Sequence, residues 1–116
     1  DARQPSQSDA AVSWVVEGWA THYGESYNGS PLGCGTGVYS SDNPDIAASA
    51  WGPDRGHTYP CGTHLRITGP AGVHIVTIHD ACPGCAANVV DLSEEANRRV
   101  CGTPEHTCRV TIEVVE

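Results

Sequence analysis

Two aspartates, Asp80 and Asp91, stand at the edges of apolar runs in His79-Asp80-Ala81-Cys82-Pro83-Gly84-Cys85 and Val89-Val90-Asp91-Leu92-Ser93. A tight, cysteine-bearing turn lies between them. Carboxylates held near each other by such a turn can grip sugar hydroxyls or divide acid and base work. The same residues also have a plain structural reading. Asp91 precedes Leu92-Ser93-Glu94-Glu95-Ala96, so it can cap a short helix with Glu94 completing a capping box. Asp80 can bind the backbone N–H groups of the turn that follows it.

Aromatic rings are the natural companions of carboxylates in a sugar-binding groove, because the C–H faces of the sugar pack on them. With no phenylalanine in the chain, some of its three tryptophans and four tyrosines must instead fill the core. Trp14 lies in an apolar run and reads as structural. Trp51 and Tyr59 flank the Gly/Pro-rich stretch 52–60 and read as groove residues, since loops carry function more often than strands. Six histidines form no HxH or HExxH pattern, so neither a metal site nor a cofactor is expected. His64 and His74 are expected to be cross-strand neighbours, and His79 to face away from Asp80 if its strand is regular. No Gly-x-Ser-x-Gly nucleophile is present, and Asn28-Gly29-Ser30 is a glycosylation sequon that reads as a loop turn.

The elements that must position these groups are mostly strands. Valine and isoleucine dominate the apolar residues, a β-favouring choice. Leu65 and Ile67 alternate with His64, Arg66 and Thr68, and a turn at 69–72 leads into a strand over 73–79. Val110, Ile112 and Val114 alternate in a closing strand. Residues 14–23 suit one long strand, perturbed at Gly18, while 46–50 is a short apolar run suited to burial. Only 93–100 looks helical. The Gly/Ser/Asn-rich stretch 24–44 reads as a long surface loop tied down by Cys34. Short strands, turn-rich connections and one small helix imply a closed or nearly closed β-barrel.

At 116 residues the chain has room for one core, placed at 13–116, and its polar opening, 1–12, reads as a flexible tail left after processing. No apolar run reaches membrane-spanning length. The formal charge of −8, with six arginines and no lysine, is the reverse of a nucleic-acid footprint and suits neutral or cationic partners. Cys34, Cys61, Cys82, Cys85, Cys101 and Cys108 form an even set, implying a disulfide framework and an oxidising, extracellular setting. The expected pairing joins Cys101 to Cys108 and pairs Cys34 and Cys61 with Cys82 and Cys85. Zinc is the rival for Cys82-x-x-Cys85, but no second such pair exists to complete a site.

Gly18-Trp19-Ala20-Thr21-His22-Tyr23-Gly24-Glu25-Ser26-Tyr27-Asn28-Gly29, Pro60-Cys61-Gly62-Thr63-His64-Leu65-Arg66-Ile67, the His79-to-Cys85 segment and Val90-Asp91-Leu92-Ser93 resemble, in order, the motifs of the bacterial rare lipoprotein A domain. The cysteine-bearing Asp80-to-Cys85 turn is closer to expansins, loosenins and barwin-like proteins. The resemblance spans residues 18–115 and implies a mainly β, six-stranded double-psi β-barrel, disulfide-stapled and carrying one short helix. It also implies a surface groove contacting polysaccharide, with Asp80 and Asp91 as its acidic positions and Thr21 and Tyr23 on its first strand. The implied protein is a secreted monomer that binds and loosens cell-wall polymer, peptidoglycan or cellulose-like, without cutting it. Two alternatives accompany it: a lytic transglycosylase or glycosidase using Asp80 and Asp91 as catalytic groups, and an inhibitor of papain-like cysteine proteases using the 24–44 and 52–60 loops. Two departures bear on these. Where transglycosylases of the family carry a histidine, this chain has Ser49 or Trp51, and Cys82 stands where expansins carry an aromatic residue.

Overall fold

The computed structural model describes residues 15–50 and 59–115. The expected tail at 1–12, Trp14, Trp51 and most of the 52–60 loop lie outside the described residues. Six strands, β1 (Val15–Tyr23), β2 (Ile46–Ser49), β3 (His64–Gly69), β4 (Gly72–Ala81), β5 (Val89–Ser93) and β6 (Cys108–Val115), close into a barrel in the order β1-β5-β2-β4-β3-β6. Two of the pairings, β1–β5 and β2–β4, are parallel, and the others are antiparallel. Closure leaves no free sheet edge. The fold is the mainly β, closed six-stranded barrel that the strand pattern and the resemblance imply.

Alternation decides the core. Leu65, Ile67, Val76, Ile78, Val90, Leu92, Val110 and Ile112 point inward and are buried, while their strand neighbours point out. β2 is buried at all four positions, so the apolar run at 46–49 is an internal strand. β1 runs unbroken through Gly18, whose place is steric. A Cβ there would lie 2.0 Å from the Asn88 carbonyl oxygen, which accepts the Trp19 N–H at 3.0 Å. Glycine thus lets the chain entering β5 cross β1 closely.

The helix α1 (Glu94–Cys101) is capped by Ser93, whose hydroxyl accepts the Ala96 N–H at 3.2 Å, and it ends at Gly102 with φ +86. Asp91 is therefore not the helix cap; it belongs to β5. Ala96, Asn97 and Val100 face the barrel, and the Val100 carbonyl accepts from Ala71 in the β3–β4 turn at 2.9 Å. That turn sets β3 against β4 with His64 opposite Thr77 and His74 opposite Ile67, so the two histidines are not neighbours.

All six cysteines are paired, as Cys34–Cys61, Cys82–Cys85 and Cys101–Cys108. The last is the expected bridge; the other two correct the expected cross-pairing. Cys34 N–H donates to the His79 carbonyl and Gly62 N–H to the Ile78 carbonyl, which brings Cys34 and Cys61 together over β4. Cys85 N–H donates to the Cys82 carbonyl at 3.0 Å, so those two close on themselves within one turn. The 24–44 stretch is a loop with structure of its own, holding a 3-10 turn (Glu25–Tyr27) and a Pro31–Val38 bridge.

Candidate functional site

Register places four outward positions in one row across neighbouring strands. Thr21 on β1 lies opposite Asp91 on β5, Asp91 opposite Ala48 on β2, and Ala48 opposite Asp80 on β4. At the usual inter-strand spacing the row is roughly 14 Å long. Asp80 joins it through an irregularity. β2 and β4 pair Ala47 with Ile78 but Ala48 with Asp80, leaving His79 as the extra residue of a bulge. Strict alternation would have sent Asp80 inward with Ile78. The strand is therefore not regular at His79, whose ring contacts Thr36 at 2.8 Å and Asp45 at 2.9 Å while Asp80 turns toward β1.

Each carboxylate has a hydroxyl partner on β1. Thr21 Oγ1 donates to Asp91 Oδ1 at 2.7 Å, and the Tyr23 hydroxyl donates to Asp80 Oδ2 at 3.3 Å. Asp80 Oδ1 also accepts the Gly33 N–H at 2.7 Å and the Ala81 N–H at 2.9 Å. Of these two backbone donors, Ala81 is the last residue of β4 and Gly33 belongs to the 24–44 loop, so Asp80 ties that loop to its own strand while keeping its place in the row. Tyr23 is itself braced. Tyr39 stacks on it with centroids 4.1 Å apart and donates a short hydrogen bond to the Tyr23 carbonyl, while Tyr27 meets it edge-on at 5.8 Å.

Tyr23, Asp80 and Asp91, together with Tyr27, Ala48 and Pro83, line an open cleft of about 240 Å³. Its electrostatics separate the two acids. Burial pushes the Asp91 carboxyl above its ordinary range, with Asp80 adding to the rise; the Thr21 hydrogen bond and His22 oppose it. Burial first, then the charge of Asp80, holds the Tyr23 phenol far above its usual range, so it stays a neutral donor. Burial likewise pushes the Tyr39 phenol up to about 12. The cleft thus pairs a carboxyl inclined to hold a proton with a carboxylate oriented by three protein donors. Such a surface can accept hydrogen bonds from hydroxyls.

The structure brings Thr21, Tyr23, Asp80 and Asp91 together. Tyr59 is not among them. It is 5 % exposed, packed with the barrel core, and offers no ring face to the cleft. Ser49, one of the two residues near the missing histidine, is buried and donates to the Tyr59 carbonyl at 2.8 Å. Cys82 lines the cleft as half of the Cys82–Cys85 bridge. Tyr27 was missed. The 3-10 turn that starts one residue after β1 leaves it 52 % exposed beside Tyr23, and only its spacing from Tyr23 hinted at this. Among the described residues, no group of three or more His, Cys, Asp or Glu side chains is placed to hold a metal ion.

No protein-family model and no curated protein sequence matches the chain. Solved structures do. The chain is similar to an apo expansin of Clavibacter michiganensis at 29 % identity and a TM-score of 0.70, over 89 % of this chain and 51 % of that one. An Asp-to-Asn variant of a Clavibacter michiganensis expansin in complex with cellohexaose matches at 27 % identity and a TM-score of 0.66, with the same coverage. A Streptomyces papain inhibitor matches at 22 % identity and a TM-score of 0.69, over 93 % of this chain and 100 % of that one, a likeness of fold. The chain spans about half the length of the expansins it matches.

Proposed function

We propose that this chain, an expansin-like double-psi barrel, is a secreted protein that binds cell-wall polysaccharide through the Asp80–Asp91 cleft and leaves the polymer uncut. The observation that carries the reading is the single row of Thr21, Asp91, Ala48 and Asp80, with both carboxylates oriented by β1 hydroxyls beside an exposed tyrosine. Carboxylates so placed accept hydrogen bonds from sugar hydroxyls and compete with the polymer's own chain-to-chain contacts. The expansin crystallised with cellohexaose supports a β-linked glucan or a polymer of similar shape as the partner. Three disulfides support an extracellular setting. The uncut outcome is favoured because Asp80 spends both oxygens on protein donors, which leaves it poorly placed to activate a water against Asp91.

Pull-down isotherms on cellulose and on peptidoglycan sacculi test this, using Asp80→Asn and Asp91→Asn. Loss of a charge-assisted hydrogen bond is expected to weaken polymer binding about tenfold, with no soluble sugar released by any protein. Unchanged binding by both variants would sink the groove reading, and soluble products seen by mass spectrometry would convert it into a cleaving one.

Protease inhibition is the second reading. It is favoured by the papain inhibitor whose whole length this single barrel covers, and by disulfide bracing of the 24–44 loop through Cys34, which lowers the ordering cost of binding. Full papain activity in the presence of excess protein would remove it for that protease class.

A further inference from the structure

The outward face of β1 continues past the carboxylates. Alternation puts Trp19, Thr21 and Tyr23 on that face at roughly 7 Å intervals, so Trp19 lies one step beyond Thr21 on the side away from Tyr23. Trp19 is 42 % exposed, in a chain whose large aliphatic side chains mostly fill the barrel. Its neighbours in register are Val89 on β5 and Arg109 on β6. The Arg109 guanidinium lies over the indole, 5.3 Å from the ring centroid. Arg66 pairs with Glu113, and Arg98 and Arg99 pair with Glu95; among the described residues, Arg109 pairs with no carboxylate. In a chain of formal charge −8, an arginine committed to an aromatic ring holds that ring in one pose.

Two exposed aromatic residues thus share this face with the acidic cleft: Tyr27, which lines it beside Tyr23, and Trp19, which lies outside the lining, one step beyond the Thr21 that donates to Asp91. From Tyr23 to Trp19 the strand rise gives roughly 13 Å, longer than one sugar ring. The carboxylates between them disfavour an anionic polymer, and an indole face suits the C–H side of a pyranose. Resting on the polysaccharide reading above, we infer that Trp19, braced by Arg109, is a stacking subsite for an additional ring of a neutral, extended polysaccharide. The site therefore recognises a run of several linked sugars rather than a mono- or disaccharide.

Calorimetric titration with dimers, tetramers and hexamers of β-1,4-linked glucose and of N-acetylglucosamine tests the subsite on the full chain. For wild type, affinity is expected to climb with length. Trp19→Ala is expected to lose about tenfold for the hexamer, the effect of returning one ring face to water, and to leave the dimer unchanged. Trp19→Phe should restore most of the loss, and Arg109→Gln should lose part of it. Equal loss for dimer and hexamer, or none for either while wild type binds, overturns the subsite and leaves the cleft reading intact. If wild type binds neither oligomer series nor either insoluble polymer, the cleft reading and the subsite fall together.

Discussion

Asp80 should hold the fold as well as the ligand, and replacing it by alanine measures how much. Its carboxylate accepts from Gly33 at 2.7 Å, Ala81 at 2.9 Å and the Tyr23 hydroxyl at 3.3 Å. A hydrogen bond to a charged acceptor is worth about 1.5–3 kcal/mol net when buried. The Gly33 bond is exposed and water can replace much of it, whereas the Tyr23 hydroxyl is largely desolvated and would be left wanting. Taken together, Asp80→Ala is expected to cost about 2–4 kcal/mol, lowering Tm on the order of 10–20 °C for a domain of this size. Asp80→Asn keeps an oxygen for the two N–H groups and can turn its amide toward Tyr23, so about 1 kcal/mol is expected there. Urea unfolding followed by far-UV circular dichroism at neutral pH gives both numbers. An alanine variant within ~0.5 kcal/mol of wild type, the ordinary range for surface substitutions, would refute the anchoring role. Equal losses for the alanine and asparagine variants would mean that charge, not hydrogen bonding, does the anchoring.

Asp91 should behave in the opposite way. Burial raises its carboxyl above the ordinary range, so the folded chain binds that proton more tightly than the unfolded chain does. The resulting stabilisation is complete below the unfolded value and vanishes as pH rises through the raised folded one. Asp91→Asn is therefore expected to melt a few degrees above wild type near neutral pH, with the gap closing in acid; scanning calorimetry across that range would contradict this by finding the variant less stable at neutrality. The disulfides should rank by the chain they close. Separations of 27 residues for Cys34–Cys61 and 3 for Cys82–Cys85 correspond to about 3.5 and about 2 kcal/mol in the loop-entropy account. Paired serine variants compared by urea midpoint test the order, and a larger loss on removing Cys82–Cys85 would reverse it.

Most of the barrel could be read from pattern. β3, β4 and β6 announce themselves by alternation, and the helix by two turns of polar-apolar spacing ended at Gly102. β2 could be read only as buried, because four consecutive buried residues carry no period. The disulfide partners of Cys34 and Cys61 were illegible for a different reason: their closeness comes from two main-chain hydrogen bonds to β4, which no side-chain pattern encodes. Tyr59 was misjudged because a Gly/Pro-rich flank says that a loop is near, not which way a ring points. That Thr21, Tyr23, Asp80 and Asp91 lie together was legible through their motifs, but the bulge that turns Asp80 outward was not. Period-two reasoning taken strictly would have buried it.

A barrel needing only stability would have no use for a half-buried carboxyl at Asp91 whose ionised form is penalised by its own surroundings. Its partner Thr21 softens the penalty without removing it, and no backbone group among the described residues depends on it. Asp80, by contrast, ties the Gly33 loop to β4 and so holds one wall of the cleft in place. The irregular step at His79 sets these two unlike carboxylates in one row, the first bound into the scaffold and the second desolvated by it. Groups whose environment works against their charge cluster where a ligand supplies the missing partner. On the proposed reading, the cleft is a surface completed by hydroxyl donors from outside the chain, with Asp91 the residue that gains most from their arrival.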